Sequence, residues 1–171
     1  MALTPNQLTT LKADILADPA LVALKDTPDG RADIATAYSV PASPDFWVWK
    51  SYLTKSDAVN STSQDNTTFT WAGNGFISRS LNEIAAWENI WNSSGTVNPS
   101  LAQVRAGFVA IFTGGGNATL NLTHLTAMAR RKATRIEKLL ASGSGSTGSP
   151  ATMGYEGAIT AGDVQTALNL P

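Results

Sequence analysis

The chain has 171 residues, of which 43% are hydrophobic and only 15% charged, with a formal net charge of -1 and no cysteine. A chain of this length buries roughly 70% of its unfolded surface on folding, so one core suffices without a covalent staple. The near-zero charge excludes a whole-molecule field toward DNA or an anionic membrane. The missing cysteines exclude disulfides, thiol catalysis and Cys-based metal sites.

Read in chain order, Thr4-Pro5-Asn6-Gln7 is a helix start, with a hydroxyl cap, proline at the first helical position and Gln at the third. Leu8, Leu11 and Ile15 follow on one face. Asp18-Pro19 repeats the cap-then-proline pattern, and Ile34, Ala37 and Tyr38 form a third short stripe after the turn at Asp26–Gly30. Lys12, Asp14 and Asp18 interrupt the first 20 residues, and no apolar run approaches the roughly 18 residues that span a bilayer. The expectation is therefore a soluble protein made in a cytoplasm, with no membrane contact. In such a setting the Asn-x-Ser/Thr matches, such as those at Asn60 and Asn92, are products of a Ser/Thr/Asn-rich composition.

The prolines of Val40–Pro44 impose extended geometry on residues 40–53, and Phe46-Trp47-Val48-Trp49 follows them. An extended segment cannot bury both of its sides in one small core, so Phe46, Trp47 and Trp49 are candidate interface anchors. Residues 56–70 are almost wholly polar and predict an exposed arm. Ser80-Leu81-Asn82-Glu83 is a capping box, with Trp87 and Trp91 on the core face of its helix. Asn98-Pro99 predicts the next start, and a long helix is expected from about Thr119 to Ala141. Ser142–Ser149 reads as a Gly/Ser hinge, and Thr160–Asp163 as a cap leading a short C-terminal helix.

No motif points to catalysis or a cofactor. Gly143, Gly145 and Gly148 spell G-x-G-x-x-G, but a helix precedes them and Ser149-Pro150 follows, the wrong context for a dinucleotide loop. His124 is the lone histidine, with no partner ligands near it in sequence; it reads as a surface or core-edge residue. The carboxylates are spread singly, several at caps. The strongest local charge is Arg130-Arg131-Lys132 with Arg135 and Lys138, expected to form a basic helical ridge that is either a solvated face or a contact for DNA backbone or an acidic partner. Within that stretch only Glu137 offsets it.

Several segments together resemble a family of small proteins encoded in the structural gene blocks of tailed bacteriophages and prophages. They are Leu3–Leu8, Ile15–Pro19, Pro41–Trp49, Ala133–Ala141, Gly143–Gly145 and Tyr155–Gly157. The resemblance runs from about residue 3 to 168, outside the polar stretch. It implies a virion component without enzymatic activity or cofactor, located at the neck or tail of the particle and synthesised in the bacterial host cytoplasm. Size and helical make-up narrow this to a head-to-tail adaptor, a homo-oligomeric ring of about 12 copies between the portal protein and a tail or nozzle protein. Another tail-completion, tail-tip or capsid-associated role, or a DNA-binding accessory acting through residues 130–138, stays open. The expected fold is mainly α: a helical bundle over residues 1–141 with a polar arm at 56–70, then a hinged extension with a short helix over 142–171.

Overall fold

Helix caps set the architecture. In a computed structural model describing residues 2–171, the chain is mainly α with a few short strands. It divides into two compact units: the chain up to Val48 together with Lys132–Pro171, and Trp49–Arg131. The expected body-plus-tail division is thus replaced, because the C-terminal third folds with the N-terminal helices.

In the first unit, α1 (Pro5–Ala17) starts at the predicted box, with Thr4 and Gln7 capping each other. Asp18 caps α2 (Pro19–Val22) through the Ala20 amide, and Thr27 caps α3 (Pro28–Ser39). Each cap satisfies amides that the first helical turn leaves without partners. The three short helices follow the sequence pattern. The last helix, α9 (Ala161–Leu168), begins at the predicted Thr160–Asp163 box. It is no hinged extension: α9 packs on α1 and α3, and Val164 and Ala167 are buried with Leu11, Ile15, Ile34, Tyr38 and Ile136. The reason is amphipathicity, since α9 carries an apolar face that only this core can cover. Polar ties hold the same segment. Gln7 donates to the Gly154 carbonyl at 2.7 Å, and Lys12 donates to that of Leu170 at 2.5 Å.

The Gly/Ser tract is also tied down. Ser142 and Thr152 exchange backbone hydrogen bonds at 2.9 Å, Ala151 donates to the Trp47 carbonyl, and Trp47 donates to that of Gly145. Gly145 lies at φ +66, and a Cβ there would fall 2.1 Å from the Phe46 ring. The tract is glycine-rich at this point because an aromatic ring rests on its backbone.

In the second unit, β2 (Leu53–Thr54) pairs antiparallel with β3 (Thr96–Val97), Leu53 facing Val97 and Thr54 facing Thr96. Around this pair lie α4 (Lys55–Asn60), a 3-10 turn at Gly73–Gly75, α5 (Leu81–Ile90), α6 (Ala102–Ile111) and α7 (Asn117–Met128). The core is aromatic: Trp87 packs edge-on against Trp91 at 5.0 Å and Phe112 at 5.4 Å, and stacks on Phe69 at 5.7 Å. Such pairs add about 0.5–1.5 kcal/mol each beyond the area they bury. The Ser80–Glu83 box forms as expected. Asn98, by contrast, caps only a turn through Ser100, and α6 starts three residues after Pro99.

Two further segments differ from the sequence pattern. The long helix of 119–141 does not exist. It ends at Met128, continues as the strand β4 (Arg130–Lys132), and restarts as α8 (Arg135–Leu139) behind a Thr134–Glu137 capping box. Nor is 56–70 an arm. Thr54 caps α4, and two buried side chains of α7 hold the rest. Asn121 accepts from the Thr70 amide at 2.8 Å and donates to the carbonyls of Thr70 and Gly75, both at 2.9 Å. His124 donates from Nε2 to the Ala58 carbonyl at 2.8 Å, and its Nδ1 meets the Thr67 hydroxyl at 3.2 Å. The polar sequence is α4 followed by a loop, several of whose backbone groups find partners within the fold.

Candidate functional site

The aromatic quartet lies partly in β1 (Trp47–Trp49), where the chain passes from the first unit to the second. Alternation along a strand sends Val48 to the interior, where it packs with Ala133 and Ala151, and leaves Trp47 and Trp49 half-buried. Phe46 is half-buried as well. Each of the three rings is covered by a cation. In the first unit Lys138 Nζ lies 5.8 Å from the Phe46 centroid and Lys132 Nζ 5.9 Å from that of Trp47. In the second, the Arg105 guanidinium lies 4.5 Å from that of Trp49. Contacts of this kind contribute about 0.5–1 kcal/mol where partly exposed.

The five predicted cations do not form one ridge. Arg130 and Arg131 belong to the second unit; Lys132, Arg135 and Lys138 belong to the first. Break of the helix at Met128 removes the common face, and carboxylates distant in sequence offset much of the charge. Arg130 pairs with Asp65, and Lys132 pairs with Asp45 at 2.7 Å. Arg135 reaches Asp14 at 3.2 Å and Asp18 at 3.1 Å. Sequence alone placed only Glu137 among them; that side chain is buried and caps α8.

Around Arg135 the first unit has its densest electrostatic cluster. The Tyr38 hydroxyl donates to Asp14, and the guanidinium lies 4.6 Å from the Tyr38 ring centroid. The hydrogen bond from Arg135, aided by the Ala20 and Leu21 amides, holds the Asp18 carboxyl below the usual range. Burial works against the charge of Arg135, but its hydrogen bonds to Asp18 and Asp14 outweigh this and raise its pKa. Burial, then the Asp14 carboxylate, pushes the Tyr38 phenol well above its ordinary value. An open groove lies alongside, lined by Val40, Pro41, Ala42, Leu139 and the stems of Arg135 and Lys138.

No family model, curated protein or solved structure matches the chain. Among the described residues, no group of three or more His, Asp or Glu side chains is placed to hold a metal ion. No helix among them is long and apolar enough to cross a membrane. His124, expected at the surface or core edge, is fully buried and serves the fold.

Arg105 belongs to no sequence motif. It sits in α6 between Val104 and Phe108, inside the apolar stripe, and that misplaced charge was its only local signal.

The other notable surface feature is apolar. Among the described residues nine large hydrophobic side chains are exposed, and seven of them belong to the second unit: Tyr52, Trp71, Ile77, Leu81, Leu101, Val109 and Leu120. Ile77 is 74% and Leu81 84% exposed, and the Ile77 amide donates to the carbonyl of the exposed Trp71.

Proposed function

We propose that the chain is a non-enzymatic structural protein of a tailed-phage particle, and that within the particle it is a ring-forming head-to-tail adaptor joining portal to tail. The observation that carries this reading is the apolar surface of the second unit, where Trp71, Ile77 and Leu81 lie open. Single exposed apolar side chains need no explanation, but several on one unit of a weakly charged protein fit a surface that a neighbour covers. The resemblance of residues 3 to 168 to a virion family supplies the setting. A ring needs a heterologous contact, in which one surface of a subunit meets a different surface of the next, and repeated apolar contacts of that kind suit it. The adaptor's partners would be further copies of itself, the portal protein and the tail or nozzle protein.

The folded-in segments at 56–70 and 142–171 lend no support as reaching arms; the adaptor reading rests on surface and resemblance. The DNA-binding alternative loses ground, because Arg130, Lys132 and Arg135 are offset by carboxylates and present no continuous basic face. Mass spectrometry of intact particles tests the proposal through copy number. About 12 copies per particle fits a neck ring, whereas hundreds place the chain on the capsid or tail tube. A purified protein that stays monomeric and never accompanies portal or particle overturns it.

A further inference from the structure

In the second unit a cavity of about 230 Å³ opens beside Trp49, lined by Arg105, Phe108, Val109, Leu122 and Ala129. The guanidinium at its edge is fixed from two sides. Nη1 donates to the carbonyls of Pro99 at 2.7 Å and Ser100 at 2.8 Å, while the plane lies over the Trp49 ring. Among the described residues no carboxylate pairs with Arg105, in contrast to Arg79 and Arg130, which each pair with a carboxylate, and Arg135, which pairs with two. Burial lowers its pKa from the ordinary arginine value, with no opposing counter-ion. Apart from Arg105, Thr126 is the one other polar side chain in the lining, and its hydroxyl donates to the Leu122 carbonyl at 2.8 Å; Val109, one helical turn after Arg105, is 50% exposed at the rim.

A held, uncompensated guanidinium beside an apolar recess calls for a ligand carrying both a carboxylate and an apolar group. The carboxylate meets the remaining donor edge of the guanidinium, in a setting drier than bulk water. The volume falls below the roughly 300–1,000 Å³ of small-molecule sites, which favours a single side chain over a whole metabolite. We propose that this cavity docks an acidic segment of a partner protein, one apolar side chain entering beside Trp49 and Val109 while a neighbouring carboxylate pairs with Arg105. The inference stands on the cavity and its charge, independently of where the protein sits in a particle.

The test uses the full chain labelled with nitrogen-15, with the Trp49 indole signal assigned by Trp49→Phe. The probes are the blocked tetrapeptide acetyl-Gly-Leu-Glu-Gly-amide and its analogue with Gln in place of Glu. The expected result is a saturable shift of the Trp49 signal, with the Glu peptide bound roughly 10-fold more tightly than the Gln peptide. Arg105→Gln removes that preference. Should Arg105→Gln fail to fold, Val109→Trp, which fills the cavity from its exposed rim, abolishes the shift with both peptides. Equal binding of the two peptides, or no shift at Trp49 with millimolar peptide, overturns the proposal. So does a shift produced by 3-phenylpropionate and by neither peptide, which assigns the cavity to free carboxylic acids.

Discussion

Tyr38 shows how burial and charge act together on one side chain. It is fully buried, its hydroxyl donates to Asp14, and both burial and that carboxylate raise its pKa above the ordinary value. The unfolded phenol titrates near ~10. Because the folded value is the higher, stabilisation by the neutral phenol is complete below about pH 10 and is lost as pH rises further. Urea denaturation should therefore show stability falling above about pH 10, by up to ~1.4 kcal/mol per pH unit from this group. Tyr38→Phe should cost about 1 kcal/mol at neutral pH and flatten that alkaline decline. A residual slope is expected from Tyr155, whose phenol is also raised, chiefly by burial. If wild type and variant decline in parallel, Tyr38 is not the titrating group. A second prediction concerns Gly145, where a methyl group meets both a positive φ and the Phe46 ring. Gly145→Ala should cost about 2 kcal/mol or more in thermal or chemical denaturation. A free linker would tolerate the change with no loss.

Elements differed in how openly the sequence declared them. The starts of α1, α2, α5 and α9 were legible because a cap is a contact between residues two or three apart, and Thr4, Asp18, Ser80 and Thr160 each carry it on their own. The break after Met128 is masked even though Thr134-x-x-Glu137 is the same local signal, since the apolar stripe of Ile136 and Leu139 continues the helical period across it. The loop at 61–76 was illegible for another reason. Its partners, Asn121 and His124, lie 46 to 57 residues further along, and no composition rule pairs them. The site divided in the same way. Phe46, Trp47 and Trp49 stood out by hydrophobicity, whereas Asp14, Asp18, Asp45 and Asp65 became partners of the cations only through folding. The α7 anchor can be tested directly. Asn121→Leu leaves the Thr70 amide and the Thr70 and Gly75 carbonyls without this partner, and should cost about 3 kcal/mol. Hydrogen exchange should speed up at Thr70 above all, and unchanged protection there would show that the loop is held by other means.

At the scale of the whole molecule, sequence order and spatial grouping part company, and this is why a body with a trailing arm was expected where two units are found. The first unit joins the two ends of the chain, because α9 completes the core that α1 and α3 begin. The second unit is one continuous segment, and it carries seven of the nine exposed large hydrophobic side chains among the described residues. That separation makes the assembly reading testable without disturbing a core. Leu81 is the first residue of α5, where a carboxylate is favoured by the free amides and the helix dipole, so Leu81→Asp should not harm the helix. Ile77 is in a turn and 74% exposed, so Ile77→Asp should also be tolerated. The double variant is expected to melt within about 0.5 kcal/mol of wild type. Two new charges buried unpaired at a subunit contact are costly, each by several kcal/mol when desolvated. The double variant should therefore fail to form the oligomer in analytical ultracentrifugation and be missing from particles assembled in its presence. If it folds, oligomerises and enters particles like the wild type, the contact between copies does not run through Ile77 and Leu81.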